Sequence, residues 1–261
     1  MPLHPYHIVT VSPWPFTAGI ALFDLALGLR GLLHETQSGG VSLTISLSAL
    51  ILVIALWCRD VVTEGVYLRD HTTDVQRRLG LRILLFVVSE LMVFVSIFWA
   101  YFHSALSPNI ELGISWPPMG IEGIDPMGLP LCNTVLLLSS RAACTWAHHA
   151  VIRGARSWAQ TGLATTIAIA VIFTACQGLE FLGAPFDITD RVFGSTFYIA
   201  TRTHGFHVVL RTLFIAVGII RLTAYQSTSN HHVGLQFAII YWHFVDVIWL
   251  LLFVAVYGFG A

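Results

Sequence analysis

The chain has 261 residues, of which 56% are hydrophobic and 10% charged, with a formal net charge of −1. Soluble domains carry about 25% charged residues, so this surface has too few to face water all round, and the mean hydropathy of +0.77 agrees. Without a basic excess, nothing points to nucleic acid as a partner. Cys58, Cys132, Cys144 and Cys176 lie far apart with no CxxC pair, which reads as buried free thiols rather than a zinc or disulfide framework.

Residues 1–11 show neither the basic n-region of a secretory signal nor an arginine-rich amphipathic presequence. The expectation is a chain made inside the compartment whose membrane it enters, or one written in its mature form. From there, seven apolar segments follow at 15–33, 41–57, 83–106, 132–149, 158–182, 196–220 and 234–258. A bilayer core of about 30 Å needs roughly 20 such residues in a helix, and the second segment is near the lower limit. Between them stand Gln37-Ser-Gly-Gly40, Trp116-Pro-Pro118 and Gly183-Ala-Pro185, which carry turn and helix-end chemistry. With no repeat and no room for a soluble domain, residues 1–261 read as a single all-α membrane domain. Its helices fall into a pair at about 15–57 and a group of five at about 83–258.

The arginines divide by side. Arg59, Arg69, Arg77, Arg78, Arg82, Arg153, Arg156 and Arg221 gather on one side, against Arg191 and, by snorkelling, Arg30 on the other. The sparse side holds Glu35, Glu111, Glu122, Asp125, Asp187 and Asp190 instead. By the positive-inside rule the N-terminus faces the cytoplasm or matrix and the C-terminus the opposite side. The connection 58–80 mixes both signs, which suits a solvated extension of the third helix, a headgroup site beside the membrane, or both.

Specific words narrow the reading. Ser12-Pro-Trp-Pro15, Trp57-Cys-Arg-Asp-Val61, Ser89-Glu-Leu-Met-Val-Phe94, Trp116-Pro-Pro-Met-Gly120 and Thr145-Trp-Ala-His-His149 occur in that order. Ala184-Pro-Phe-Asp-Ile188, Gly194-Ser-Thr-Phe197, His204-Gly-Phe-His-Val208, Ser229-Asn-His-His232 and Tyr241-Trp-His-Phe-Val-Asp246 complete the series. From end to end this resembles subunit III of the haem-copper oxidases, in its mitochondrial cytochrome c oxidase form. The resemblance implies a non-catalytic core subunit with no haem, copper or other metal of its own, and no catalytic residue. It would sit in the mitochondrial inner membrane with its N-terminus on the matrix side and its C-terminus in the intermembrane space. Haem A and copper would belong to partner subunits. Its partners would be subunit I above all, then subunit II and accessory subunits. There it would stabilise the active site and aid proton uptake. It would also hold phospholipid of the phosphatidylglycerol, phosphatidylethanolamine or cardiolipin type in a cleft between the helix pair and the other five helices.

Matched positions for lipid are Trp57, Arg59, Glu64, His71, Arg221 and His231. Arginine can bridge phosphate oxygens with two N–H groups, and tryptophan suits the interface. Cys58, where the animal form has a second tryptophan, and Thr63 and Ala224, at positions often basic there, depart from the pattern and weaken the case for cardiolipin.

Glu90 lies near the middle of the third segment, where an ionised carboxylate is expensive. It is either a proton-linked group or a neutral acid hydrogen-bonded to a neighbouring helix. His204 and His207 share a face of the sixth segment. His148, His149, His231 and His232 sit at the positive edge, and polar packing accounts for all six better than metal or haem ligation does. His243 and Asp246, three residues apart, read as a hydrogen-bonded pair locking the last helix.

Three arginines fall inside the spans: Arg141, Arg202 and Arg211. The family usually has glycine at these positions. A central arginine costs about 2.5–3.5 kcal/mol on insertion scales. Nine residues separate Arg202 from Arg211, roughly 900° of helix, so they point to opposite faces. Either partners, lipid phosphates or water compensate them, or a glycine codon changed by one base is edited or reassigned. Two other functional readings stand beside the first. One is subunit III of a quinol oxidase, which usually lacks the first two helices. The other is a free-standing transporter with Glu90, Glu180 and Asp246 as a relay.

Overall fold

A computed structural model describes residues 6–110, 113–229 and 231–260. Glu111 of the acidic side, Asn230 of the Ser229–His232 word and the first five residues of the leader reading lie outside them. Among the described residues, seven α-helices follow in chain order: α1 (Trp14–Leu33), α2 (Gly39–Val66), α3 (Thr73–Leu106), α4 (Leu129–Ile152), α5 (Arg156–Gly183), α6 (Arg191–Thr223) and α7 (Val233–Leu252). A π-helix, Phe253–Gly258, continues α7, and there is no strand among the described residues. The seven helices match the seven apolar segments. Prolines open α1 and α4, where a missing N–H removes no intrahelical bond.

The helix ends differ from the apolar windows. The second helix is not short: it has 28 residues, because the charged run after Trp57 continues it to Val66. The third begins at Thr73. The connection 58–80 is therefore shared between the end of α2 and the start of α3, with a break at residues 67–72. Hydropathy marks where a helix is apolar, whereas a solvated helix extends as far as its backbone bonds and side-chain charges permit. Among the described residues, six helices are long and apolar enough to cross a membrane; α4 is not one of them. It carries Asn133, Ser139, Ser140, Arg141, His148 and His149. It packs on both α5 and α7, which lets it bury Asn133, Thr134 and Ser140 inside protein.

Two compact units divide the chain, residues 1–79 and 80–261. In the first, α1 and α2 form an antiparallel hairpin whose seam is built of small residues: Ala18, Ala21 and Gly28 on α1, Gly39 and Ser46 on α2. A Cβ on Gly28 would stand 2.8 Å from both the Cα and N of Leu43, and one on Gly39 would overlap the carbonyl carbon of Gly31. Backbone approach this close is what small residues provide between membrane helices, where water exclusion supplies no drive. The N-terminal segment is tied to the far end of the hairpin. The indole Nε1 of Trp14 donates to Asp60 (2.7 Å), His7 meets Glu64 (3.3 Å), and Arg78 lies 4.2 Å above the Tyr6 ring.

In the second unit, α6 packs between α5 and α7, and α4 closes the set against both α5 and α7. Phe173, Phe193, Phe197, Trp249 and Tyr257 form an aromatic core at one end, and Ala147, Ala159, Leu163 and Trp242 a second core at the other. Phe94 and Tyr101 of α3 are fully buried in the aromatic core.

Gly28→Val forces the α1–α2 backbones apart and is expected to cost about 1–3 kcal/mol, as overpacking does. It should lower the yield of chain recovered in its assembled complex. Gly19→Val, in the same helix with nothing within 4 Å of the added Cβ, should not.

Candidate functional site

Glu90 of α3 and His207 of α6 meet: the imidazole Nε2 and a carboxylate oxygen of Glu90 make a short hydrogen bond. The other ring nitrogen, Nδ1, lies 2.7 Å from the carbonyl oxygen of Thr203 and donates to it. Nε2 then has a lone pair unless the ring is cationic. The pair therefore shares one proton, either as carboxylic acid donating to imidazole or as carboxylate accepting from imidazolium. Phe94 packs on the His207 ring at 5.1 Å. The geometry gives Glu90 a hydrogen bond to a neighbouring helix. Sequence spacing had placed His204 and His207 on one face without naming their neighbours. His204 is fully buried, with Trp249 at 5.0 Å and Phe173 at 5.9 Å, so the two histidines serve different surroundings.

Asp246 does not pair with His243. Its Oδ1 accepts from Arg211 Nη1 at 2.5 Å, and the same nitrogen donates to the carbonyl of Trp242 at 2.8 Å. The guanidinium lies 4.0 Å over the Trp242 ring and is fully buried. A long arginine reaching from α6 to α7 outcompetes a histidine held one turn away on the same helix. Arg202 points the other way, as the rotation between the two positions requires. It is exposed on the outer face of α6, 4.8 Å above the Tyr198 ring and 5.9 Å from that of Phe181. Arg141 is half-buried on α4.

A second buried carboxylate, Glu180 on α5, accepts from the Tyr257 hydroxyl at 2.5 Å and from Gln177 at 3.0 Å. At the opposite end, His148 faces the rings of His149 (6.3 Å) and His232 (5.7 Å), while His231 is exposed. No group of three or more His, Cys, Asp or Glu among the described residues is placed to hold a metal ion.

The lipid candidates fall in both units. In the first, Trp57 is exposed, Arg59 holds Asp60 through Nε and Nη2 (3.0 and 2.8 Å), Glu64 is bonded to His7, and the His71 ring stands 6.0 Å from that of His7. In the second, Arg221 is half-buried in the last turn of α6 and His231 precedes α7.

The family model for cytochrome c oxidase subunit III matches residues 4–261. Cytochrome c oxidase subunit 3 of Mycosarcoma maydis is 49% identical over 262 residues, which cover 98% of this chain and 95% of that protein. The Neurospora crassa subunit 3 is 48% identical over 258 residues, 99% of this chain and 96% of the relative. That of Prototheca wickerhamii is 48% identical over 257 residues, 98% of each.

The chain belongs to the cytochrome c oxidase subunit III family. It is thus one subunit of an oxidoreductase complex, assembled with other oxidase subunits. Its fungal relatives and its membrane-length helices make it a mitochondrial membrane protein. Among these relatives both ends of the chain are matched, so α1 and α2 belong to the family pattern as much as α3 to α7 do.

Arg211→Gly leaves the Asp246 carboxylate buried without its cation, a loss of about 3–5 kcal/mol for a broken buried pair. Thermal inactivation of the assembled complex should shift down, with the parent residue at 211 verified by peptide mass spectrometry. Adding Asp246→Asn should recover most of the shift.

Proposed function

We propose that this subunit III is the non-redox member of its oxidase, packed on subunit I with subunit II and accessory subunits around it. The redox groups, haem A and copper, belong to those partners. The chain's part is to keep the active site of subunit I stable, to support proton uptake and to hold structural phospholipid. The full-length match to the family, residues 4–261, carries this reading. The polar chemistry of the second unit is in keeping with it, since its buried carboxylates are bonded to neighbouring helices and hold them in register. The matched lipid positions, Trp57, Arg59, Glu64 and His71 in one unit and Arg221 and His231 in the other, suit headgroups of the phosphatidylethanolamine or phosphatidylglycerol type. They combine cationic and anionic groups with an interfacial tryptophan. The division of arginines supports an inner-membrane orientation with the N-terminus on the matrix side.

Affinity purification through this chain should recover haem A and copper in stoichiometric amounts. Recovery with haem but without copper A would favour a quinol oxidase, and recovery of the chain alone a free-standing transporter.

Glu90→Gln keeps the shape of the acid and its hydrogen bond to His207, so the complex should assemble with its haem. Oxygen reduction should persist with a modest change in turnover. Complete loss of oxygen reduction in a haem-loaded complex would place Glu90 on the proton path itself.

A further inference from the structure

Arg202 is a charge of the second unit that no carboxylate answers. It stands exposed on the outer face of α6, inside the apolar window 196–220, and it makes no ion pair among the described residues. Its neighbours are rings: the guanidinium lies 4.8 Å over Tyr198 and 5.9 Å from Phe181. Tyr198 is one turn nearer the start of α6, and Phe181 is in the last turn of α5. The side chain is therefore turned toward the acidic edge of the membrane, as long cations in spans turn toward water.

The second observation is the turn that meets this edge. The Tyr198 hydroxyl donates to the carbonyl of Phe186 (2.8 Å), the residue before Asp187. The Asp187 amide donates to Asp190 Oδ2 (2.6 Å), and a Cβ on Gly194 would stand 2.1 Å from the Asp187 carbonyl oxygen. The turn is thereby held against the start of α6, with Asp187 exposed and Asp190 half-buried. One tyrosine ring links it to Arg202, so a cation lies deeper and two carboxylates lie farther out. Residues 187–202 carry Asp187, Asp190, Arg191 and Arg202, two charges of each sign, and the patch as a whole favours neither an anion nor a cation. Toward the membrane centre the face of Arg202 continues as exposed Phe206 and Val209.

We propose that Arg202 and the Asp187–Asp190 turn form a headgroup site for phosphatidylethanolamine in the leaflet on the acidic side. The guanidinium donates to two phosphate oxygens, the ethanolamine ammonium donates to the carboxylates, and one acyl chain lies along Phe206 and Val209. The order of charge in the lipid, phosphate next to the glycerol and ammonium beyond it, is the order of countercharge in the protein. A phosphatidylglycerol brings no cation for the carboxylates, and a choline headgroup has no N–H to donate. The site includes none of the matched lipid positions. An acidic partner helix would answer Arg202 and leave the acidic turn without a role.

The test uses the assembled oxidase, with residue 202 read by peptide mass spectrometry; a glycine mass there removes the site and overturns the proposal. The complex is placed in phosphatidylcholine nanodiscs containing a small fraction of phosphatidylethanolamine that bears a diazirine on one acyl chain. After irradiation, adducts are mapped to peptides, and they should concentrate on the peptide holding residues 199–209. Unlabelled phosphatidylethanolamine should displace the probe at a concentration about tenfold below that of phosphatidylglycerol. This competition is read on the unmodified complex, so it does not depend on any variant assembling. Arg202→Gln should cut labelling at this face about tenfold and leave adducts elsewhere on the chain unchanged. Asp187→Asn should narrow the preference for phosphatidylethanolamine over phosphatidylglycerol. Labelling indifferent to Arg202→Gln overturns the site, and equal competition by phosphatidylglycerol in the unmodified complex overturns the choice of headgroup. Absence of adducts on this face, as a partner helix covering Arg202 would produce, overturns the proposal outright.

Discussion

An ionisable side chain inside an apolar layer must be neutralised where it stands, and this constraint organises the second unit. Hydration is scarce there, and three carboxylates of this unit each find a partner on another segment. Glu90 is answered by His207, Asp246 by Arg211, and Glu180 by Tyr257 and Gln177. These bonds tie α3 to α6, α6 to α7, and α5 to the π-helical end of the chain. Apolar surface alone gives no direction to helices already surrounded by hydrocarbon. Polar pairs supply direction, and the aromatic core around Phe173, Phe197 and Trp249 fills the space that they define.

The first unit solves its packing by the opposite means. Its seam has almost no polar cross-helix bonds and relies on Gly28 and Gly39 to bring backbones into contact. Dispersion falls steeply with distance, so a close seam gains where a wide one cannot. Its polar fastenings lie at the charged end, among Trp14, Asp60, His7 and Glu64.

Much of this was legible in the amino-acid sequence. The seven helices follow from apolar windows of membrane length, and the family follows from short words in a fixed order. Helix ends were less legible: the run Arg59 to Val66 is charged, yet it continues α2, because hydropathy does not report backbone bonding. Partners were least legible. Periodicity says which face of a helix a residue occupies but not which neighbour that face meets, so His207 was grouped with His204 and not with Glu90, 117 residues away. Asp246 was matched to the nearest polar group on its own helix, when the arginine 35 residues earlier had the reach. Opposite directions for Arg202 and Arg211 came through because that inference needs only the helical repeat.

The π-helix at Phe253–Gly258 limits how this chain can vary in length. A π turn is an α turn with one residue added, and each residue advances the helix by about 100°. The extra residue lets the chain rotate so that Tyr257 faces α5 and its hydroxyl reaches Glu180. Deleting any one residue between 253 and 256 would let the segment relax to an ordinary α-helix and swing the phenol out of line with the carboxylate. The final turns of this protein are therefore metered: substitutions there can be absorbed by repacking, whereas a change in residue count cannot.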